Sequence, residues 1–232
     1  MDKLQPKNSQ IIIVQDFEKL MNTSFNGVQN AICWQRTLEG DFEEIVKTLT
    51  SKANITEVSA EDLCNLQLSV KGAVARAFIL ADLKLLTEAG ASPSLNLIKN
   101  YDRDNEFDFI STDVYSFHVD HSPVETSTFL CTYYGADSEI LPNDQAVQKI
   151  MIPEVRESLR KLHAGSDQDF DYFLKENYFD LHYDPNKNAQ PIGLGKGNLW
   201  RLSVDHPEQK VPPCIHRAPK ENDGEYRLLL IC

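Results

Sequence analysis

The sequence lacks the features of a secreted or membrane-spanning protein. Met1 to Gln10 contain no basic segment followed by an apolar core, so we expect no secretory signal. No apolar run approaches the roughly 20 residues that a transmembrane helix needs. The 5 cysteines are odd in number and widely spaced, which disfavours a disulfide framework and favours a reducing compartment. These absences together predict a cytoplasmic protein.

Basic residues are scarce as well. The chain carries 35 Asp and Glu against 23 Lys and Arg, which gives a formal net charge of -12. Such a balance repels phosphate backbones and anionic lipids, so neither nucleic acid nor a membrane is expected as the main partner. A small-molecule substrate is the predicted partner instead. With 41% apolar residues over 232 positions, the chain can bury one substantial core or two small units that share an interface.

Several motifs of well-known enzyme classes are also missing. The sequence has no Gly-x-Ser-x-Gly elbow and no Cys-x-x-Cys pair, which disfavours a serine hydrolase and a structural zinc site. Gly193, Gly195 and Gly197 alternate around Lys196, but they lack the Walker spacing and precede no obvious helix. We therefore predict a tight turn before a strand here, rather than a phosphate-binding loop.

Helical signals dominate the first part of the chain. Asp41 precedes an apolar face with helical spacing, and Glu44 is placed to complete a capping box. Ser59 and Asp62 begin a second and longer pattern that continues to Gly90. The signal changes near residue 105 from helical to β-rich.

Beyond residue 105, β-branched and aromatic residues predominate. They predict strands at residues 109–120 and 126–134, joined at Ser122-Pro123, while the acidic aromatic stretch 167–184 stays ambiguous. A helix is predicted between Pro153 and Gly165. Further strands are predicted at residues 199–204, 214–217 and 225–232.

These patterns predict an α+β fold. We expect residues 106–232 to form a double-stranded β-helix, a jelly-roll or cupin-like core, that binds a metal and contains an inserted helix. Residues 1–105 are predicted to be a mainly helical region that buttresses this core. The two regions are expected to form one compact unit.

A candidate metal site follows from spacing. In an extended strand residues two apart point to the same face, so His118 and Asp120 can bind one ion while Val119 points away. A third ligand from a distant strand would complete a triad of two histidines and one carboxylate, which leaves three adjacent coordination positions open. His216, near the C-terminal end, is the candidate.

Other histidines offer weaker candidates. His182 and Asp184 repeat the spacing, but they lie in an acidic segment before Pro185 with no strand following. His121 would point to the opposite face of the strand from His118. Satisfied polar packing inside a sheet is the ordinary alternative for the whole triad.

An arginine beyond the third ligand indicates a cosubstrate. Arg227 enters the apolar run 228–231, where a guanidinium requires an anion, and its fork suits a carboxylate in bidentate geometry. This matches a 2-oxoglutarate pocket, with the keto-acid end on iron and the far carboxylate on Arg227. Tyr133 or Tyr134 is predicted to support that carboxylate through its hydroxyl group.

Two further residues are candidates for substrate binding. Arg217, adjacent to His216, can bind a carboxylate or phosphate of the substrate, with a surface salt bridge as the ordinary alternative. Trp34 can close the pocket, although plain core packing is the simpler interpretation.

Several segments resemble the DUF1826 family. They are AICWQR at residues 31–36, FHVD at 117–120, LCTYYG at 130–135, HRAP at 216–219 and RLLL at 227–230. The resemblance runs in order over most of the chain. Bacterial members of that family often have genes for zinc homeostasis as neighbours.

The resemblance implies a shared site. The family's His-x-Asp, His-Arg-x-Pro and arginine-bearing last strand correspond here to His118, Asp120, His216, Arg217, Pro219 and Arg227. The order of the candidate metal ligands along the chain also resembles that of the Fe(II)/2-oxoglutarate oxygenases. It departs from the family at residues 136–140, ADSEI, which keep a glutamate and lose an aromatic residue of the usual Gly-Thr-Glu-Trp type sequence.

Three functions are compatible with these candidate residues. The leading one is an oxygenase in which His118, Asp120 and His216 bind Fe(II), 2-oxoglutarate is the cosubstrate, and an unidentified substrate is hydroxylated. The second is a non-enzymatic zinc-binding protein, closed by Cys131 or His121 as a fourth ligand. The third and least favoured is a zinc hydrolase with Glu125 or Glu139 as base.

Overall fold

The computed structural model of the chain describes residues 9–51, 53–220, 222 and 224–232. The predicted absence of a secretory signal concerns Met1 to Gln10, of which residues 1–8 lie outside the described residues. Within the described part of the chain, no helix has the length and apolar character needed to cross a bilayer.

Strands and helices are interspersed along the chain. The helices are α1 Phe17–Asn22, α2 Phe42–Thr48, α3 Ala60–Asn65, α4 Val70–Glu88, α5 Pro153–Leu162 and α6 Phe170–Glu176. The strands are β1 Ile11–Val14, β2 Ala31–Trp34, β3 Ile55–Glu57, β4 Ser94–Ile98, β5 Phe117–His118, β6 Ser127–Tyr134, β7 Glu139–Ile140, β8 Ala146–Gln148, β9 His182–Pro185, β10 Ile192–Gly193, β11 Leu199–Ser203, β12 His216–Arg217 and β13 Arg227–Ile231.

The strands form two sheets, one of which curls into a half-barrel. The larger sheet has seven strands in the order β1-β2-β11-β6-β13-β4-β3, and the smaller has six in the order β10-β7-β12-β5-β9-β8. Among these described strands, only β1 and β2 pair in parallel. The prediction of a mixed α+β fold is therefore confirmed.

Four antiparallel pairs are nested inside one another along the chain. The innermost pair is β7 with β10, followed outward by β6 with β11, β5 with β12 and β4 with β13. Moving outward, successive pairs alternate between the smaller and the larger sheet. The chain from β4 to β13 is thus one long antiparallel ribbon that winds between two sheets. Strands β8 and β9, with helices α5 and α6, are inserted between β7 and β10.

The two faces of β6 contact different cores. Leu130 packs with Trp200 and Ile140 in the core between the sheets. Tyr133 lies in a second core with Ile45 of α2, Ile79 of α4 and other residues of the helices. Because neighbouring residues of a strand point to opposite faces, each side chain of β6 belongs to one side of the larger sheet.

The predicted strand at residues 109–120 is mostly irregular, which corrects the prediction. Only β5 is regular, because acidic side chains bind the backbone of the preceding segment. Oδ1 of Asp113 accepts from the backbone N–H of Tyr115 and Ser116, and Oδ2 of Asp104 accepts from that of Thr112. Such contacts compete with a strand ladder. The ladders also place β5 and β6 in different sheets rather than in a hairpin.

The helix predicted to run from Ser59 to Gly90 is broken in two. The capping box of Ser59 and Asp62 is present, but α3 ends at Asn65 and α4 begins after Ser69. Nη1 of Arg76 donates to the carbonyl oxygens of Leu63, Cys64 and Leu66, which satisfies the last carbonyls of α3.

Strands β1 to β4 were not predicted. Residues 1–105 contribute these four strands to the larger sheet in addition to four helices. Each of the missed strands has three to five residues, so its alternating pattern is short compared with that of the helices. The division of the chain at residue 105 stays a prediction.

Candidate metal centre

His118, Asp120 and His216 form one cluster between the two sheets. His118 of β5 and His216 of β12 are directly paired across the strands, and their ring centroids are 4.7 Å apart. Asp120 follows two residues after His118, with Oδ2 3.6 Å from Nε2 of His216 and Oδ1 4.0 Å from Nε2 of His118. One ligand atom of each residue lies within 4.8 Å of the others. The structure therefore brings together the two residues that the spacing predicted, His118 and Asp120, and the candidate third ligand, His216.

Hydrogen bonds orient each of the three side chains. Nδ1 of His118 lies 2.8 Å from the carbonyl oxygen of Ser116, and Nδ1 of His216 lies 3.2 Å from that of Cys214. A carbonyl oxygen only accepts, so both Nδ1 atoms carry the proton and both Nε2 lone pairs are left for a metal. The hydroxyl of Thr128 on β6 donates to Oδ2 of Asp120.

The electrostatics of the cluster favour the metal-binding protonation states. Burial, together with the neighbouring His216, lowers the pKa of His118 to about 4. Burial alone would raise the pKa of Asp120, but His216, the Thr128 hydrogen bond and His118 outweigh it and lower that pKa. At neutral pH the cluster therefore contains a neutral His118 and an ionised Asp120.

The geometry fits a divalent ion. Ligand atoms at right angles around an ion, each about 2.1 Å from it, are about 3.0 Å apart. The separations of Asp120 from the two histidines, 3.6 and 4.0 Å, are larger by about 1 Å or less, and all three ligand atoms lie within 4.8 Å of one another, so rotation of the side chains can bring them around one ion. The Asp120 side chain is 36% exposed, so the centre is accessible from solvent. Two imidazoles and one carboxylate leave three coordination positions for other ligands.

A third histidine lies beside this cluster. His182 of β9 is paired with His118, and the two ring centroids are 5.9 Å apart. His216, His118 and His182 thus form a row across three neighbouring strands. His182 is only 5% exposed, and its Nδ1 has no hydrogen-bond partner among the described residues. Sequence reasoning discounted this residue because it did not predict β9.

Arg227 lies at the other end of the same inter-sheet face. It is 4% exposed, and its Nη2 donates to the hydroxyls of Thr132 at 3.1 Å and Ser138 at 2.6 Å. Thr132 follows Thr128 by four residues on the same face of β6, a separation of about 13 Å along the strand. Leu130 lies between them on that face. The metal cluster and Arg227 are therefore connected by one side of β6.

Other predicted site residues are not brought to the cluster. The Tyr133 hydroxyl donates to Asp82 at 2.6 Å on the helical side of β6. Trp34 also packs against the core on that side, as does Tyr134, because the pairing of β6 with β13 is irregular between Thr132 and Tyr134. Arg217 points away from the centre, where its Nε donates to Glu139 at 2.7 Å.

The residues predicted for the zinc alternatives lie elsewhere too. Cys131 contacts Nη2 of Arg36 at 3.7 Å on the helical side of the larger sheet. Nδ1 of His121 lies 2.8 Å from Asp205, where both side chains are partly exposed. Glu139 is paired with Arg217, and Glu125 is exposed. Within the described residues, the metal-ligand group contains none of these four.

The fold and the cluster together define a mixed α+β protein with a candidate His-Asp-His metal centre between two sheets. The chain belongs to the DUF1826 family, described as "Protein of unknown function", whose model matches residues 15–232. This confirms the family resemblance found in the sequence. Comparisons with the curated proteins and with the solved structures found no match.

Proposed function

We propose that this protein is a non-haem Fe(II)/2-oxoglutarate-dependent oxygenase that hydroxylates a small molecule. The observation that carries the proposal is the placement of the His118, Asp120 and His216 cluster and of Arg227 at two ends of one inter-sheet face. A metal at one end and a buried guanidinium at the other suit a cosubstrate with a chelating keto-acid and a distal carboxylate.

The nested strand pairs support a double-stranded β-helix as the core. An antiparallel ribbon rolled up in this way forms an eight-stranded jelly roll. Here the eight strands would be β4, β13, β6 and β11 in the larger sheet and β5, β12, β7 and β10 in the smaller. The remaining strands extend both edges of the larger sheet and one edge of the smaller. In this arrangement the three metal ligands lie in or beside β5 and β12.

Each residue of the site has a distinct role in the proposal. His118 and His216 bind the metal through Nε2, and Asp120 binds through a carboxylate that Thr128 orients. When bound, Fe(II) with 2-oxoglutarate and dioxygen supplies the oxidising chemistry for hydroxylation of a C–H bond. The chain binds and orients the reactants, and its apolar inter-sheet core excludes water from the cosubstrate.

Arg227 is proposed to bind the far carboxylate of the cosubstrate. Thr132 and Ser138 hold its guanidinium and take the supporting position predicted for Tyr133 and Tyr134. The methylene groups of the cosubstrate would lie against Leu130. Ser138 belongs to the segment 136–140, where the chain departs from the usual family sequence.

A zinc-binding protein is the second candidate, and His182 is the observation that favours it. A closed tetrahedral zinc site requires a fourth protein ligand. His182 is the buried histidine beside the cluster, with its ring centroid 5.9 Å from that of His118. Under this alternative, His182→Ala weakens zinc binding by orders of magnitude, whereas under the oxygenase proposal the three other ligands suffice.

The oxygenase proposal is tested by cosubstrate binding. Protein loaded with Mn(II) is titrated calorimetrically with N-oxalylglycine, an unreactive analogue of 2-oxoglutarate. Because a hydrogen-bonded charge contributes about 1.5 to 3 kcal/mol, we expect Arg227→Ala to weaken binding about 10- to 100-fold. Ser138→Ala, a smaller change at the same contact, is expected to weaken binding less.

Arg217→Ala is the matched control, because Arg217 is paired with Glu139 outside the centre. It is expected to leave the affinity within twofold of the unaltered protein. The proposal is contradicted if N-oxalylglycine does not bind the metal-loaded protein. Equal losses in Arg217→Ala, Arg227→Ala and Ser138→Ala would also contradict it.

A further inference from the structure

A cavity of about 790 Å³ lies on the helical side of the larger sheet. Tyr133 contributes to its wall, so the cavity is on the opposite side of β6 from Thr128 and Thr132. Its apolar wall includes Leu38 and Phe42, and the Phe42 ring stacks on Tyr133 at a centroid distance of 5.5 Å. The volume falls within the range of about 300 to 1,000 Å³ that is typical of small-molecule sites.

The charge of the cavity wall is opposite to that of the protein. The chain has a formal net charge of -12, yet Arg36 and Lys196 line the cavity and no described lining residue is an Asp or a Glu. Arg36 is paired with the buried Asp82. Lys196 is exposed and has no ion-pair partner among the described residues, and its Nζ lies 5.8 Å from the centroid of the Tyr134 ring beside the cavity. A cation on an otherwise apolar and amide-lined wall favours an anionic ligand.

A fixed turn presents Lys196 to the cavity. Gly195 and Gly197 on either side of it have φ angles of 73° and 77°, which a residue with a side chain rarely adopts. The N–H of Gly197 donates to Thr132 at 2.8 Å, and the N–H of Gly195 donates to Asp137 at 2.6 Å. This is the Gly-x-Gly-x-Gly segment of the sequence, and the proposed oxygenase site makes no use of it.

The floor of the cavity is held by a buried polar network. Nε of Arg36 donates to the carbonyl oxygen of Gly197 at 2.6 Å, and both Nη atoms of Arg36 donate to Asp82 of α4. Asp82 also accepts from the Tyr133 hydroxyl. One guanidinium thus connects the Lys196 turn, a helix and the aromatic wall. Side chains held in this way form a preorganised site.

We propose that this cavity is a second binding site, for a small organic anion with an apolar body, such as an aryl or alkyl carboxylate. The anionic group would contact Lys196, and the body would lie against Leu38, Phe42 and Tyr133. The site is separate from the metal centre, because the larger sheet lies between them. It therefore does not depend on the proposed oxygenase function.

Two fluorescent probes that differ by one charged group test the proposal. 8-Anilinonaphthalene-1-sulfonate is an organic anion with an aromatic body, and N-phenyl-1-naphthylamine is the same body without the sulfonate. Each is titrated into the full-length protein, and fluorescence gives its dissociation constant. Lys196→Gln should weaken the sulfonate probe about three- to fivefold and leave the neutral probe unchanged.

Three variants locate the binding and control for charge. Thr37 is exposed at the cavity wall, so Thr37→Trp fills the cavity without altering the packed core and should weaken both probes at least tenfold. Lys84→Gln removes an exposed charge from α4, outside the cavity wall, and should change neither affinity. His216→Ala should also leave both affinities unchanged, because His216 lies in the metal centre.

Three results would overturn the proposal. The first is that neither probe binds the protein saturably. The second is binding that Thr37→Trp does not weaken, because the probes would then lie elsewhere. The third is that Lys196→Gln weakens binding of the sulfonate probe no more than Lys84→Gln does, because Lys196 would then not select an anion.

Discussion

The orientation of Asp120 depends on a residue from the other sheet. The Thr128 hydroxyl donates to Oδ2 of Asp120, and this contact links β6 to the segment that follows β5. A residue that holds a ligand in this way commonly contributes 10- to 100-fold to metal affinity. Thr128 thereby connects the metal centre to the inter-sheet face that carries Arg227.

We predict that Thr128→Val weakens metal binding about 10- to 100-fold, because Asp120 loses its orienting donor. Competition of the protein with a chromophoric chelator for Co(II) measures the affinity. Thr126→Val, two residues earlier and exposed, is the matched control and should leave the affinity unchanged. Equal affinities of the Thr128→Val variant and the unaltered protein would show that Thr128 does not position the ligand.

The sequence could predict His118 and Asp120 because their spacing reflects the period of two of extended backbone. It could not predict Thr128, Ser138 or His182, because these reach the site through pairing between distant segments. The alternation of strand residues also explains why the predicted Tyr133 lies on the helical side of β6, while the neighbouring Thr132 contacts Arg227. A shift of one residue along a strand moves a side chain to the opposite face.

Cysteine reactivity follows from burial. Burial raises the pKa of Cys131 to about 12 and raises those of Cys33 and Cys214 as well, whereas Cys64 is exposed. We predict that iodoacetamide at pH 8 modifies Cys64 first and modifies the three buried thiols only after unfolding. Mass spectrometry of timed samples measures this order. Rapid modification of Cys131 in the native protein would contradict the structure.

Among the secondary-structure elements, helices α2 and α4 are connected by Glu44. This residue does not complete the capping box predicted for α2; its carboxylate instead accepts from the backbone N–H and the hydroxyl of Ser69, at 2.7 and 2.6 Å. Ser69 is the N-cap of α4, so one carboxylate fixes the start of that helix against α2. The two residues are 25 positions apart in the chain, a separation that local sequence patterns do not reveal.

We predict that Glu44→Gln lowers the free energy of unfolding by about 1 kcal/mol, because it weakens charge-assisted hydrogen bonds to Ser69. The midpoint of urea unfolding measures the change. Glu43→Gln is the control, because the contacts of Glu43 with Lys47 and Tyr134 are exposed at the Glu43 side chain and the change should alter stability by less than about 0.5 kcal/mol. The assignment fails if the Glu43 variant loses as much stability as the Glu44 variant.

In the molecule as a whole, a buried ionic network joins the helices to the larger sheet. Arg36 follows β2, Asp82 lies on α4 and Tyr133 on β6, and the side chains of Arg36 and Asp82 are 10% and 2% exposed. A buried ion pair of this kind is costly to break, because the remaining charge is left without a partner. The network thus fixes how the helical layer sits on the sheet.

We predict that Asp82→Ala lowers the free energy of unfolding by about 3 to 5 kcal/mol, because it leaves Arg36 buried and unpaired. The double variant Arg36→Met with Asp82→Leu should recover much of that loss, since no charge is then buried. Asp171→Ala, which removes an exposed partner of Arg156, is the control and should have little effect. The network is contradicted if the double variant loses as much free energy of unfolding as the two single changes added together.

The predicted fold class was correct at the level of mixed α+β, because capping residues and helical spacing predict helices in the first part of the chain, whereas β-branched and aromatic residues predict strands such as β6. Periodicity does not report how strands are ordered in a sheet, so the placement of β1 to β4 beside the C-terminal strands was missed. Strands β5, β7, β10 and β12 have two residues each, too few for a pattern. The pairing of distant segments therefore had to come from the structure.

The proposed oxygenase function requires that one site bind both iron and 2-oxoglutarate. Protein prepared without oxygen is mixed with Fe(II) and then with 2-oxoglutarate, and the visible absorption spectrum is recorded. The same measurement is made on His216→Ala, on Arg227→Ala and on Arg217→Ala as the control. Zinc affinity is measured in parallel for each variant.

We predict a weak visible charge-transfer band on addition of 2-oxoglutarate. The band should be absent in His216→Ala, should require a higher 2-oxoglutarate concentration in Arg227→Ala, and should be unchanged in Arg217→Ala. The oxygenase function is contradicted if no band forms while zinc binds tightly and Arg227→Ala leaves that binding unaltered.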